Sequence, residues 1–354
     1  MKKQFKFLAF TLFFGLLITS CSNDDDSSNG DTNLGDYDNG YFVLNEGNGN
    51  PATASITFVG DDGIIVEDVF RLVNPAAEEI GSYLQDIFFD DTRAFIISGS
   101  ANQVTVVNRY TFEYIATINT NFSAPRYGTV ENGKAYVTNS ADWSTGTDDF
   151  LTIIDLNDYS TTTMIVGDYS EKITSDDDYV YISNGYYGSG NAVTVLNTNT
   201  QELTSIDLGV GNSPNSIIEE DDDLYLLSYD YASNGKIFKI NTITNTIENT
   251  IDLPASLVGA KNLVIEDDTF YFTVDASVYS ASMSSTTISD TALLTYNSTS
   301  TYGVMYGFNV EDEKIYISDG GDFNSNSNVY EYALNGTLLN TITVGVGPNS
   351  FHFN

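Results

Sequence analysis

A hydrophobic segment with a central aromatic residue recurs seven times along this chain of 354 residues. Successive aromatic residues are 53, 41, 45, 44, 46 and 45 positions apart. They are Phe42, Phe95, Tyr136, Tyr181, Tyr225, Tyr271 and Tyr316. A period of this length is typical of repeat proteins, in which each copy forms one small unit that packs against its neighbours. The spacing therefore predicts seven structural units, arranged as a stack or as a ring.

The pattern inside one period predicts four short β-strands. Between residues 215 and 254, apolar and polar residues alternate in four segments that are separated by turn residues. Alternation with period two is the signature of antiparallel strands. Acidic clusters such as residues 176–178 and 221–223 separate the first two segments. Tight hairpins require residues that tolerate a left-handed backbone, so these acids need no functional explanation.

The two ends of the sequence supply one unit between them. Residues 347–353 match residues 213–219, the first strand of an internal unit, and the other three strands of that unit are found at residues 40–44, 54–59 and 63–70. A unit shared in this way closes a ring and removes exposed strand edges. We therefore expect residues 40–354 to form an all-β, seven-bladed β-propeller with four antiparallel strands per blade and one blade shared between the N- and C-termini.

The N-terminal segment has the pattern of an export signal. Lysines precede the apolar residues 7–18, a stretch too short for a membrane-spanning helix. Residues 17–21 resemble a bacterial lipobox, so residues 1–20 are expected to be a lipoprotein signal peptide and Cys21 the lipidated residue. Residues 21–39 are polar and acidic, which predicts a flexible tether. Acids at this place resemble the surface-export signal of Bacteroidota lipoproteins, whereas the alternative is a periplasmic spacer. The expected location is the outer membrane, lipid-anchored and exposed at the cell surface.

The charge of the chain excludes one class of partner. Removal of the signal peptide takes away Lys2, Lys3 and Lys6 and leaves 10 basic and 49 acidic residues, a formal charge of −39. Binding of nucleic acid through phosphate contacts is excluded by this balance. The acidic surface favours solubility, and the alternatives are cation binding or the steering of a basic partner.

The loops that join the second and third strands differ from the acidic hairpins and are expected on the opposite face. They span residues 45–51, 98–102, 139–149, 183–191, 228–235, 274–277 and 319–328, and five of the seven are longer than a hairpin needs. Rigid aromatics and hydrogen-bonding groups on one face predict a recognition surface. The candidate ligand-binding residues of these loops are Trp143, Tyr186, Tyr187, Tyr229, Tyr231, Phe323, Asn139 and Asp319. The alternative is that the aromatic side chains only pack their own loops.

A second set of candidates opens the innermost strands. The aligned positions are Gln85, Arg126, Lys172, Asn215, Lys261, Met305 and Asn349. Three of the ten basic residues of the mature chain, Arg126, Lys172 and Lys261, fall on them. We expect these cations around the mouth of the central channel, where they would bind a phosphate, carboxylate or carbonyl group, the alternative being that they only hold water.

The sequence offers little support for catalysis. His352, the one histidine, lies in the closing strand at the place that Ile218 takes in its own unit, and a structural role is expected. There is no cysteine or histidine cluster, phosphate loop or activated serine motif, so neither a cofactor nor a metal is expected. Residues 322–328 resemble a calcium loop only in part. Carboxylate chemistry on a glycan or lactone stays open; its candidates are Asp142, Asp148, Asp149, Asp230 and Asp319.

One repeat carries the residues of a known family. Residues 134–139 read Lys-Ala-Tyr-Val-Thr-Asn, and residues 180–184 and 315–319 are close variants. With the lipobox and the acidic tether, the chain resembles the YncE-like, YVTN-repeat surface lipoproteins of Bacteroidota, which include cobalamin-binding propellers. The resemblance implies a non-enzymatic protein that captures a corrinoid on the long-loop face and passes it to a TonB-dependent outer-membrane transporter. The alternatives are a carboxylate-dependent hydrolase or lyase and an adhesion propeller.

Overall fold

The computed structural model describes residues 34–142, 144–230 and 233–354, without the side chains of residues 230 and 233. Within them, 28 strands form seven four-stranded antiparallel sheets, here called blades 1 to 7. Blade 1 contains β28 (Pro348–Phe353), β1 (Gly40–Asn45), β2 (Ser55–Gly60) and β3 (Ile65–Val66), in that order. A 3₁₀-helix (Pro51–Thr53) and the helix α1 (Val69–Val73) flank this blade.

The other six blades each use four consecutive strands, innermost first. Blade 2 contains β4 (Leu84–Phe89), β5 (Arg93–Ser98), β6 (Gln103–Asn108) and β7 (Tyr114–Ile118). Blade 3 contains β8 (Pro125–Glu131), β9 (Lys134–Asn139), β10 (Phe150–Asp155) and β11 (Thr161–Ile165). Blade 4 contains β12 (Ser170–Asp176), β13 (Tyr179–Tyr186), β14 (Ser189–Asn197) and β15 (Leu203–Asp207).

Blades 5 to 7 continue the same order. Blade 5 contains β16 (Ser213–Glu220), β17 (Asp223–Asp230), β18 (Ser233–Asn241) and β19 (Thr246–Asp252). Blade 6 contains β20 (Lys261–Glu266), β21 (Thr269–Val274), β22 (Ser277–Ser282) and β23 (Leu294–Thr295). Blade 7 contains β24 (Gly307–Glu311), β25 (Lys314–Ser318), β26 (Ser327–Ala333) and β27 (Leu338–Val344). The first strands of successive blades contact one another in a closed circle. The predicted seven-bladed β-propeller is confirmed.

The seven aromatic residues of the repeat all lie on the second strand of a blade, and each is less than 9% exposed. They fill the space between neighbouring blades. Phe95 of blade 2, for example, belongs to one cluster with Ala135, Val137 and Ile154 of blade 3. Burying an aromatic side chain removes a large apolar area from water, which stabilises each contact between blades. The repeated aromatic is therefore the residue that packs one sheet onto the next.

The shared blade forms as predicted. In the antiparallel pairing of β28 with β1, Phe42 lies opposite His352 and Val43 lies opposite Phe351. The same register places Ile218 opposite Tyr225 in blade 5, so His352 and Ile218 are equivalent. Tyr41 then joins blade 1 to blade 7, because its hydroxyl donates to Glu331 Oε1 at 2.7 Å.

The acidic hairpins of blades 5, 6 and 7 have the left-handed backbone expected of them. Asp221 and Asp222 have φ angles of 53° and 61°, and Asp267 and Asp268 have φ angles of 47° and 56°. Positive φ at both central residues defines the type I′ turn, whose twist matches that of the paired strands.

Two expected loops are instead extensions of strands. Strands β13 and β14 continue their pairing as far as Tyr186 and Ser189. They are joined by Tyr187 and Gly188, whose φ angles are 46° and 83°. Strands β17 and β18 likewise remain paired as far as residues 230 and 233. Polar residues paired across a hairpin satisfy their backbone groups as well as apolar residues do, so composition alone did not distinguish these strands from loops.

The packed part of the chain begins before residue 40, the expected boundary. Tyr37 is 8% exposed, and its ring lies 5.1 Å from that of Phe58. Its carbonyl accepts a hydrogen bond from Asn354 Nδ2 at 2.6 Å. Tyr37, in the segment expected to be a tether, thus contacts the propeller. No helix in the described part of the chain has the length and apolar character to span a bilayer.

Candidate functional site

A cavity of about 830 Å³ opens beside the central channel, and we call it the mouth cavity. Its wall combines the first residues of inner strands, the turns between second and third strands, and the links between blades. Among the lining residues are Arg126, Tyr127, Glu171, Lys172, Tyr186, Tyr187, Asn215, Tyr229, Val258, Lys261, Asn262, Asp275 and Val304. This volume is in the range of small-molecule sites. The long-loop face therefore carries a concave site.

Irregular pairing at the start of the inner strands brings the polar side chains there. The register of β8 on β9 shifts between Pro125 and Gly128, and that of β12 on β13 shifts between Ser170 and Ile173. A β-bulge inserts an unpaired residue, bends the strand and re-aims its side chains. Similar shifts occur at the starts of β4, β16, β20 and β28. Six of the seven inner strands thus have one or two unpaired residues near their start, whereas the pairing of β24 shows no such shift.

The pairing of the inner strands with the second strands corrects two positions of the predicted ring. Counted from the residue opposite the repeat aromatic, Gln85, Arg126, Asn215, Lys261 and Asn349 are equivalent. In blades 4 and 7 that count gives Glu171 and Tyr306, where Lys172 and Met305 were expected. Lys172 still lines the mouth cavity. Met305 does not, because it is fully buried in an apolar cluster with Tyr296 and Ile317.

Several residues of this ring link neighbouring blades. Asn349 Nδ2 donates to the carbonyl of Leu84 at 2.8 Å, and Asn215 Nδ2 donates to the carbonyl of Ala260 at 2.9 Å. Tyr306 closes another link, since its hydroxyl donates to Glu46 Oε2 at 2.8 Å. These amides and this phenol therefore have a structural role at the channel mouth.

The three cations of the ring differ in how far they are neutralised. Arg126 Nε lies 3.1 Å from Glu171 Oε2, and the guanidinium also donates to Gln85. Burial opposes the charged form of Arg126, but the Glu171 carboxylate outweighs it and raises the pKa of Arg126. Burial raises the pKa of Glu171, and the charge of Arg126 only partly offsets that effect. This pair is therefore satisfied internally.

Lys172 and Lys261 have no ion-pair partner among the described residues. Lys172 Nζ lies 3.7 Å from the centroid of the Tyr127 ring, which is a cation–π contact. Lys261 Nζ donates to the carbonyl of Met305 at 3.4 Å. Burial lowers the pKa of Lys261, and Asp275 partly offsets this shift. In the described residues no carboxylate oxygen lies within 4 Å of either ammonium. Both ammonium groups can therefore interact with an anionic group of a ligand.

The aromatic part of the site comes from the strand extensions. The rings of Tyr186 and Tyr187 are 4.4 Å apart in an edge-to-face arrangement, and Tyr187 is 67% exposed. Tyr229 lies in the extended part of β17, one residue before the place that corresponds to Tyr186. The exposed Val258 and Val304 come from links between blades. The mouth cavity thus unites six residues that the sequence suggested, namely Tyr186, Tyr187, Tyr229, Arg126, Lys172 and Lys261.

The other candidates do not meet there. Asn139 is fully buried, and its Nδ2 donates to the carbonyl of Val137 and to Thr152 Oγ1, both at 3.0 Å. Asp319 is 2% exposed and accepts a hydrogen bond from Tyr296 at 2.6 Å. Asn139 is the last residue of β9 and ties it to β10. Asp319 directly follows β25 and accepts hydrogen bonds from Tyr296 and Ser298, in the link between blades 6 and 7. Trp143 and Tyr231 lie outside the described residues.

Phe323 also packs locally. Its ring lies 5.1 Å from that of Tyr306, and a Cβ atom on Gly320 would stand only 2.7 Å from its Cζ. The sequence also missed residues that do line the mouth cavity, such as Tyr127 and Asn262. Their only signal was their place directly after an aligned residue, inside a bulge that composition does not reveal.

The candidate carboxylates with described side chains do not meet in the mouth cavity. Asp142 and Asp148 cap their own loop, where they accept hydrogen bonds from Ser144 N at 2.9 Å and from Thr145 Oγ1 at 2.6 Å. Asp149 is 2% exposed. None of these three, nor Asp319, lines the mouth cavity, and the side chain of Asp230 is outside the described part.

His352 and the Asn-rich loop do not form reactive clusters. Burial, reinforced by the charge of Lys172, lowers the pKa of His352 to about 3, so its ring is neutral at physiological pH. Its Nε2 lies 2.8 Å from Ser350 Oγ. Asp322 accepts hydrogen bonds from the backbone of Asn324 and Ser325, as in an ordinary turn. In the part of the chain that the structure describes, no three His, Cys, Asp or Glu residues are grouped for a metal ion.

Solved structures of low sequence identity share this fold. A quinoprotein alcohol dehydrogenase-like protein from Bacteroides thetaiotaomicron VPI-5482 is 15% identical, with a TM-score of 0.68 over 90% of this chain and 78% of that one. A candidate 6-phosphogluconolactonase from Bacteroides fragilis NCTC 9343 is 12% identical, with a TM-score of 0.63 over 90% and 98% of the two chains. Virginiamycin B lyase from Staphylococcus aureus is 14% identical, with a TM-score of 0.55 over 74% and 84%.

At these identities the likeness concerns the fold alone. No curated protein shows significant sequence similarity to the chain. The family signature is more specific, because it matches residues 39–349, which include all seven blades except the end of β28. The chain therefore belongs to the family described as DUF5074, a domain of unknown function.

Proposed function

We propose that this protein is a non-enzymatic, lipid-anchored surface protein that binds a bulky small-molecule nutrient in the mouth cavity. The observation that carries the proposal is the meeting of Tyr186, Tyr187 and Tyr229 with the ammonium groups of Lys172 and Lys261 in one cavity of about 830 Å³. Aromatic rings supply apolar contact, and the cations orient an anionic group.

A corrinoid such as cobalamin is the ligand class that we favour. It combines a broad, largely apolar ring system with amide groups and one phosphodiester. The ring system suits the exposed face of Tyr187, and the phosphodiester suits Lys172 and Lys261. The proposed partner is a TonB-dependent outer-membrane transporter, to which the propeller would pass the ligand. Lipidation of Cys21 would hold the protein at that membrane.

Isothermal titration calorimetry with cyanocobalamin and with ferric siderophores tests the ligand class. We expect saturable binding of cyanocobalamin at one site and at least fivefold weaker binding by Tyr187→Ala, the loss of about 1 kcal/mol or more that defines an interface anchor. Tyr114→Ala is the matched control, since Tyr114 is also an exposed tyrosine, on the outermost strand of blade 2, and it should change the affinity less than twofold.

A second variant tests the charge contact. Lys172→Met should weaken binding and reduce its dependence on salt, because one charged contact is lost. Binding of a siderophore instead, with the same response to both variants, would keep the cavity as the site and refute the corrinoid. Unchanged affinity in both variants would refute the cavity itself.

The alternative function is a carboxylate-dependent hydrolase or lyase. Its support is the fold, which a lyase and a candidate lactonase share. Against it, the acids among the named lining residues are Glu171, which is paired with Arg126, and Asp275. Turnover of a lactone or glycan that Asp275→Asn abolishes, while ligand binding survives, would establish the enzyme and refute the binding protein.

A further inference from the structure

A small second cavity lies between blades 3 and 4, and we call it the side pocket. It has a volume of about 20 Å³, and its lining includes Ser140, Asp149, Tyr169, Glu171 and Tyr186. A site of this volume accommodates one atom the size of a water oxygen. Glu171 and Tyr186 also line the mouth cavity, so the two cavities adjoin.

Two buried polar atoms of the side pocket have no partner among the described residues. Asp149 is 2% exposed, and its Oδ2 accepts a hydrogen bond from Ser170 N at 2.6 Å, whereas its Oδ1 accepts none. Ser140 is 7% exposed, and its Oγ is also unpaired. Buried polar groups in native proteins almost always have hydrogen-bond partners. The side pocket therefore presents two buried polar atoms for which the described residues supply no partner, and it has room for a group from outside.

The electrostatic environment indicates the charge of that group. Burial raises the pKa of Asp149 to about 6, and the charges of Asp148, Glu171 and Asp168 add to this shift. With a pKa of about 6 the carboxylate is ionised at neutral pH, and the charges that act on it are those of other carboxylates. Arg126, the cation paired with Glu171, does not line the side pocket. A buried carboxylate without a counter-ion favours a positively charged donor over a neutral one.

The composition of the lining separates two kinds of cation. Calcium takes six to eight oxygen ligands, and the described residues contain no group of three or more side chains suited to a metal. Two of the lining residues are instead tyrosines, and aromatic rings attract organic ammonium groups. An ammonium nitrogen also fits a pocket of one-atom size.

We propose that the side pocket binds a protonated primary amine, whose ammonium donates hydrogen bonds to Asp149 Oδ1 and Ser140 Oγ. The amine lies next to the mouth cavity, so a ligand that carries it would extend towards Tyr186. Binding of a free amine in the side pocket does not depend on the corrinoid proposed above, and the two proposals fail separately.

Thermal unfolding of the full-length protein at pH 7.5 tests this assignment, with methylammonium chloride as the probe. We expect methylammonium to raise the melting temperature in a saturable manner, whereas tetramethylammonium, which cannot donate a hydrogen bond, and potassium have no such effect at equal ionic strength. Asp149→Asn should weaken the apparent affinity at least tenfold, and Ser140→Ala should weaken it severalfold. Asp91→Asn removes the same charge in an exposed hairpin of blade 2 and should change the affinity less than twofold.

Three results would overturn the assignment. An equal response to all three cations would show only a general salt effect. A saturable response to calcium with none to methylammonium would show a metal site. The absence of any response in the wild-type protein, together with a single water between Asp149 and Ser140 in a high-resolution crystal structure grown with methylammonium, would show that the side pocket only holds structural water.

Discussion

The buried carboxylate of Asp149 should make stability depend on pH in a way that one substitution removes. Its pKa is raised from 3.8 to about 6, first by burial and then by the neighbouring acids, so the folded protein holds this proton more tightly than the unfolded chain. The resulting destabilisation is small below pH 3.8 and complete above pH 6. The amide side chain of the variant Asp149→Asn carries no charge and keeps an oxygen for Ser170 N, so the variant avoids this cost.

A shift of about two pKa units corresponds to about 3 kcal/mol at neutral pH. Part of that cost is already present at pH 4, so the stability of Asp149→Asn relative to wild type should rise by about 2.5 kcal/mol between pH 4 and pH 7. Urea denaturation of both proteins, followed by circular dichroism at several pH values, measures this difference. Asp86, whose pKa burial also raises to about 6, is present in both proteins and cancels.

The control is Asp91→Asn, which changes an exposed carboxylate. It should alter stability by less than about 0.5 kcal/mol at every pH. A difference between Asp149→Asn and wild type that stays constant from pH 4 to pH 7 would refute the reasoning. Lower stability of the variant at pH 7 would refute it as well, because it would mean that the charged form is satisfied in the folded protein.

Three further tests concern the contacts between blades, and each is measured by urea denaturation. Gly128→Ala should lower the free energy of unfolding by about 2–3 kcal/mol, because its Cβ would lie 2.1 Å from Phe88 Cε1. The control Gly133→Ala, with φ of +71° and no atom within 4 Å of the new Cβ, should lower it by only about 1 kcal/mol. Equal losses would contradict the steric argument. Arg126→Met should lower the free energy of unfolding by about 3–5 kcal/mol, because it leaves Glu171 without its ion-pair partner. Adding Glu171→Gln to that variant should recover part of the loss. Additive losses would show that the two residues do not interact. Tyr41→Phe removes the hydrogen bond to Glu331 between blades 1 and 7 and should cost about 1.5–3 kcal/mol, whereas no change would mean that water replaces the phenol.

The fold could be predicted from the sequence because the same structural unit, with one buried aromatic residue on its second strand, is repeated seven times. Each blade has one large aromatic side chain on its second strand, and several blades have a hairpin with a left-handed backbone before that strand. Tyr225 with Asp221 and Asp222 in blade 5 therefore shows the same pattern as the corresponding residues of blade 6. The shared blade was legible for the same reason, since residues 347–353 repeat a pattern already seen at residues 213–219.

The site was accessible only in part because its geometry depends on departures from the repeat. Lys172 and Met305 were aligned as equivalents of Arg126, but counting from the residue opposite the repeat aromatic gives those places to Glu171 and Tyr306. The side pocket was missed altogether, since Asp149 and Ser140 are distinguished by burial and by missing partners rather than by any motif. The repeat pattern of the sequence therefore predicted the face of the propeller that carries the site. The local backbone geometry, which the pattern does not reveal, determines which side chains meet there.

The pairing of β28 with β1 also constrains the order of folding. Contacts between β1 and β28 join residues about 300 positions apart, and contacts of such long range form late because much chain entropy is lost when they close. During synthesis, β1 emerges first and has no inner partner until the last strand is released. Blades 2 to 7 can therefore assemble while blade 1 is still incomplete. During that interval the edge of β1 is open to pairing with another chain. Export in an unfolded form, followed by folding of the complete chain, would shorten that exposure.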